Sequence, residues 1–257
     1  MTLAEHLDEL RRRVFWCVAI AAVFCVACAL VEEAMLGIAL APAFSVLREM
    51  NAGPELRQLQ QNHFISTSVG EKFFTAMKVD IVAGLFLAAP LILYLLWGFV
   101  ARGLHSREKK YVHIFAPFSY ALFLGGCAFF YFVIQPITLR FLLTYHANDI
   151  TGPDGTLIPV PSMPTIEGTV SFFLSMTLVT GAFFELPLVM LFLQAIGICT
   201  WRTYVKYARH FLFGLVVLSA VITPTGDAFT LAVFMCPVLA LFAGGTLACR
   251  IMAAKDI

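Results

Sequence analysis

VSFFLSMTLVTGAFFELPLVMLFLQAIGI, residues 170–198, is an almost unbroken apolar stretch. It is long enough to cross a bilayer, because about 20 apolar residues suffice at a rise of about 1.5 Å each. One carboxylate, Glu185, sits near its middle, and Pro187 follows. A charge at that depth costs about 3 kcal/mol on insertion scales. Glu185 therefore faces a wet cavity, carries a proton, or pairs with a neighbouring helix. Pro187 has no backbone donor and kinks a helix whose packing neighbours tolerate the bend. A bend beside a buried acid opens a polar hollow, and the rest of the chain reads as a frame around it.

Of the 257 residues, 60% are hydrophobic and 13% charged, with a mean hydropathy of +0.87. Soluble domains carry about 25% charged residues. The chain is therefore an all-α polytopic membrane protein, read as a single membrane domain over residues 1–257. A net charge of +1 gives no field that points to nucleic acid. The seven cysteines lie in or at the ends of apolar spans and show no metal-ligand spacing with histidines, so they read as small packing residues.

Taken in order, MTLAEHLDELRRR (1–13) has Leu3, Leu7 and Leu10 at helical spacing and forms a short amphipathic helix. The apolar run Val14 to Val31 follows. It has about 18 residues, longer than the roughly 7–15 of a cleaved signal core, and is read as a first membrane helix. Met35 to Thr75 is a long outer connection in which Pro42 breaks an apolar segment. A second span runs to about Val100 and ends in Tyr94, Trp97 and Phe99, an aromatic belt at the interface. The third covers about 112–133, with a second polar connection at 138–166. After the opening stretch come a fifth span to Ile222 and a sixth from Ala228 to about Ala248. The tight turn at Thr223–Asp227 makes these two a hairpin, short for the bilayer. Residues 1–13, 101–111, 199–209 and 249–257 hold 12 of the 17 Lys and Arg. Six spans with that bias place both termini in the cytoplasm and the two long loops outside as caps.

Catalysis finds no support: there is no HExxH, P-loop or nucleophile elbow. The apolar-span serines Ser171, Ser175 and Ser219 have no histidine at similar depth and read as helix-bonding groups. No metal or organic cofactor is implied. Glu9 and Glu108 both fall at the cytoplasmic surface beside basic residues. On spacing alone they read as solvated ion-pair faces worth about 0–1 kcal/mol each. The composition also suits a small-solute or ion transporter with Glu185 as coupling acid, although no internal repeat is evident.

Motifs in order decide between these. His6-Leu7-Asp8-Glu9-Leu10-Arg11-Arg12-Arg13 resembles the HLxELRxR opening of the TatC family, the core receptor of the twin-arginine protein translocase. Phe73-Phe74 with Lys78 resembles its FFxxxK entry to the second helix. Pro90, Tyr94, Trp97, Phe99, Leu104 and Glu108 follow its PxxxYxxWxF…L…E block. Phe184-Glu185-Leu186-Pro187 is similar to its FExP, and Thr223-Pro224-Thr225-Gly226-Asp227 to its TPPD turn. Pro42 is a further family position. Leu95 stands where the family usually has Gln, Arg102 where Pro is common, and Thr225-Gly226 where a second Pro is usual.

The resemblance implies a concave arrangement of six helices in the bacterial cytoplasmic (inner) membrane, with no enzymatic activity. It implies a receptor for Arg-Arg signal peptides of folded exported proteins, with Glu9 and Glu108 gripping the arginine pair and Leu10 and Phe99 packing beside it. Glu185 and Pro187 would line an intramembrane polar cavity that meets a partner helix. TatA and TatB, or one TatA-like protein, are the implied partners. They assemble with several TatC copies and use the proton gradient as the energy source.

Overall fold

The computed structural model describes residues 3–50, 68–103, 109–144, 150–151, 157–158, 165–222 and 227–255. Nine α-helices are seen among the described residues: α1 Leu3–Ala29, α2 Glu32–Met50, α3 Glu71–Gly103, α4 Lys109–Phe129, α5 Gln135–Thr144, α6 Ile166–Phe184, α7 Leu186–Ala195, α8 Trp201–Ile222 and α9 Ala228–Lys255. A π-helical turn, Phe130–Ile134, joins α4 to α5. The strands β1 (Ile150–Thr151) and β2 (Leu157–Ile158) pair antiparallel in the second outer connection. Among the described residues, six segments are long and apolar enough to cross a membrane: Leu7–Ala29, Glu71–Val100, Phe115–Leu142, Ile166–Ala195, Trp201–Val221 and Ala228–Ala254. They are the six spans expected from hydropathy.

Three expectations change. Pro42 does not break the first outer connection but lies buried inside α2. Proline at position 42 withholds the amide that would bond the carbonyl of Ile38. The Tyr131 hydroxyl takes that carbonyl instead, at 2.7 Å. Second, the third span does not stop at Val133. The π turn and α5 carry it through Pro136 to Thr144, and a wide turn just before a proline relieves the clash of its ring with the carbonyl four residues back. Third, the helices of the last hairpin are longer than its apolar segments: α8 has 22 residues and α9 has 28, and the first half of α8 carries Arg202, Lys206 and Arg209.

Small residues let the spans approach closely, as they do where lipid supplies no hydrophobic drive between helices. A Cβ on Gly84 of α3 would lie 2.6 Å from the backbone N and Cα of Cys25 in α1. Gly126 of α4 and Gly181 of α6 face each other, and a Cβ on Gly126 would lie 2.9 Å from the Gly181 Cα. The largest apolar cluster joins α2 (Ala43, Val46), the π turn (Phe130, Ile134), α6 (Phe172, Phe173, Met176) and α9 (Phe234, Val238). The outer helix α2 is thereby part of the packed core.

Candidate functional site: an inner-face acid and a broken fourth span

On the inner face, α1 carries Glu9 and Arg13 one helical turn apart, and they form an ion pair. The Arg13 Nη1 also donates to the Leu95 carbonyl of α3 at 2.5 Å. Gly98 makes room for this guanidinium, because a Cβ there would sit 2.6 Å from Nη1. The two side chains are only 13% and 12% exposed. Glu9 is thus held by a cation that is itself anchored on α3. Leu10, 39% exposed, is the next residue of α1, and Phe99 directly follows Gly98. Glu108 lies outside the described residues, as does Leu104.

Midway along the fourth span the helix stops at Phe184 and restarts at Leu186, leaving Glu185 as the joint. Pro187 occupies the second position of α7, where a missing amide costs little. The Glu185 Oε2 accepts a hydrogen bond from the hydroxyl of Ser119, a fully buried residue of α4, at 2.8 Å. Its Oε1 has no hydrogen-bond partner among the described residues. Beside the joint lies a hollow of about 540 Å³ lined by Phe129, Phe184, Pro187, Pro237, Ala240, Leu241 and Gly244. The lining is apolar and does not include Glu185. The polar hollow expected from sequence therefore separates into an acid bonded to α4 and an apolar recess bordered by Pro187.

The TatC family profile, described as Sec-independent protein translocase protein (TatC), matches residues 5–237. The chain belongs to the TatC family. It is 33% identical over 247 residues to a Sec-independent protein translocase protein TatC of Koribacter versatilis, covering 94% of this chain and 82% of that protein. A TatC of Campylobacter jejuni is 32% identical over 222 residues, 86% of this chain and 83% of its own length. A crystal structure of the twin arginine translocase receptor TatC superposes with a TM-score of 0.77 at 25% identity, covering 96% of this chain and 98% of that one. As a TatC, the chain is a multi-pass, non-enzymatic subunit of protein transport.

The other TatC-pattern positions lie mostly on α3 and at the start of α9. Trp97 is not part of an interfacial belt. It is 8% exposed, stacks on Phe115 at 6.0 Å between centroids and meets Phe192 edge-on at 5.0 Å, locking α3 to α4 and α7. Tyr94, 65% exposed, faces outward. Phe73 and Phe74 are also exposed and touch each other edge to face at 5.6 Å. Lys78 reaches across to α6, pairing with Glu167 at 2.6 Å and donating to the Ser171 hydroxyl at 3.1 Å. Asp227 starts α9: its Oδ1 accepts from the amide of Thr230 at 2.6 Å, the N-cap geometry that satisfies an otherwise orphaned donor. Pro224 lies outside the described residues.

Two acids were missed in the sequence. Glu71 is 1% exposed; its carboxylate accepts from the amide of Ser68 at 3.3 Å and from that of Glu167 at 3.0 Å. It caps α3 and braces the start of α6 at once. The capping box Ser68-Val69-Gly70-Glu71 was the available signal. Asp80, 6% exposed, lies against Cys25 and Cys28 of α1, and its Oδ1 has no hydrogen-bond partner among the described residues. Those two cysteines have CxxC spacing; both are free thiols within a helix, and the Cys25 Sγ donates to the Ile81 carbonyl at 3.5 Å.

Proposed function

We propose that this chain is the receptor subunit of a twin-arginine translocase in a bacterial cytoplasmic membrane, binding Arg-Arg signal peptides at its cytoplasmic face. The observation that carries the reading is the Glu9 carboxylate, oriented by Arg13 at the inner ends of α1 and α3. A guanidinium is permanently charged and presents a planar fork that a carboxylate grips through two bonds. An incoming signal arginine competes with Arg13 for Glu9, while Glu108, which precedes α4 in sequence, supplies the second acid. Lysine offers a compact charge without that fork, so Arg-Arg is preferred to Lys-Lys. Leu10 and Phe99 support the apolar flank of the signal.

After docking, the apolar part of the signal inserts beside the broken fourth span, where Glu185 and the recess bordered by Pro187 meet a partner helix. The partners are TatA and TatB, or one TatA-like chain, assembled around several copies of this subunit and driven by the proton gradient. The likeness to a solved twin arginine translocase receptor supports the assignment.

Binding of an Arg-Arg signal peptide to the purified protein, compared with a Lys-Lys version, tests this. A hydrogen bond to a charged group is worth about 1.5–3 kcal/mol. Replacing Arg-Arg by Lys-Lys, or Glu9 or Glu108 by Ala, is therefore expected to weaken binding about tenfold or more. Binding indifferent to all of these changes overturns the assignment of the site.

A further inference from the structure

We infer that the inner end of the α7–α8–α9 corner is a binding site for the headgroup of an anionic phospholipid. A cavity of about 610 Å³ opens there, lined by Gln194, Gly197, Thr200, Trp201, Arg202 and Met252 among others. Its walls are tied together. The Gln194 amide donates to the Cys249 carbonyl at 2.5 Å, and the Tyr204 hydroxyl donates to the Met190 carbonyl at 3.0 Å. Gly197, at φ 76°, turns the chain between α7 and α8 in a conformation that favours glycine.

Two guanidiniums meet at Trp201, which lines this cavity together with Arg202. Arg202 from α8 and Arg250 from α9 lie 5.6 Å and 5.5 Å from the centroid of the same Trp201 ring. Both are exposed, and neither has an ion pair among the described residues. No Asp or Glu occurs in α4, α7, α8 or α9, so among the described residues these elements offer no carboxylate; Asp256, next in sequence after α9, lies outside them. The charge is left for an outside anion, and planar guanidiniums match phosphate oxygens through paired bonds. An indole at the membrane–water boundary marks the headgroup level. Exposed apolar side chains flank the cavity on the same elements: Ile198 in the turn, Val205 on α8, Leu247 and Ile251 on α9. They give acyl chains a surface to lie on, which a free phosphate would not use. Basic pockets between spans on the cytoplasmic side are suited to such headgroups. The site is separate from Glu9 and Glu185 and does not depend on the receptor assignment.

The test titrates the full-length protein in detergent with phosphatidylglycerol and with phosphatidylcholine of the same acyl chains, counting bound lipid by native mass spectrometry. Wild type is expected to prefer the anionic lipid roughly thirtyfold, from two basic groups at the membrane surface. The double variant Arg202→Gln/Arg250→Gln is expected to lose that preference, while Lys206→Gln/Arg209→Gln, which removes the same charge elsewhere on α8, keeps it. If the double variant does not fold, each single variant is expected to lose about fivefold. Preference that survives both arginine changes overturns the proposal. So does displacement of the lipid by inorganic phosphate, which would make the cavity a free-anion site, and so does equal loss in the Lys206/Arg209 control.

Discussion

Tyr131 and Pro42 show how a single side chain decides whether an element joins the core. The Tyr131 hydroxyl replaces the amide that Pro42 lacks, bonding a carbonyl 93 positions away in sequence, and so docks α2 on the third span. Tyr131→Phe leaves the Ile38 carbonyl without that donor and is expected to cost about 1 kcal/mol, read as a lowered thermal midpoint in detergent. In a Pro42→Ala background the helix regains its own amide, so the same change is expected to cost little; an additive double-mutant cycle would refute the coupling. The proline was legible in the sequence as a missing donor, but its replacement was not, because nothing local marks Tyr131 as the partner. Trp97 was misread for a similar reason: an aromatic near a span end suits an interface equally well until Phe115 and Phe192 are seen around it.

Elements were easier to read than side chains. Hydropathy placed all six spans, because a bilayer enforces length and apolarity on each one. It could not place α2, whose nineteen residues pack on the protein rather than on lipid alone. Nor could it show which faces meet. The sequence offered Gly126 and Gly181 without linking them, whereas the structure brings α4 and α6 together at this pair. A Cβ on Gly181 would lie 2.7 Å from the Cys127 Sγ and 2.8 Å from Phe123. Gly181→Val therefore forces the helices apart, with an expected cost of about 1–3 kcal/mol. A Cβ on Gly125 would meet no atom within 4 Å, so Gly125→Ala is expected to leave stability within about 0.5 kcal/mol of wild type. Thermal unfolding of the two variants side by side checks the contrast.

At the scale of the whole molecule, the fourth span is broken at mid-depth, and Glu185 is its joint. The sequence showed that an acid lies at mid-depth; it could not show that Ser119 waits for it on α4, because that pairing depends on how the Gly126–Gly181 crossing sets the two helices. This bond separates a bracing role from a transport role. A bracing acid is replaceable by Gln, whose side-chain oxygen still accepts from Ser119, and Ser119→Ala then harms stability much as Glu185→Ala does, by about 1–3 kcal/mol for a buried group left unpaired. An acid that meets a partner helix behaves otherwise: Glu185→Ala lowers export of an Arg-Arg reporter well beyond what Ser119→Ala does at equal protein level. The receptor reading expects the second pattern, measured as export rate against membrane-inserted protein. Full export by both Glu185→Gln and Glu185→Ala would remove the acid from the transport path and leave the apolar recess beside Pro187 as the surface that a partner helix reads.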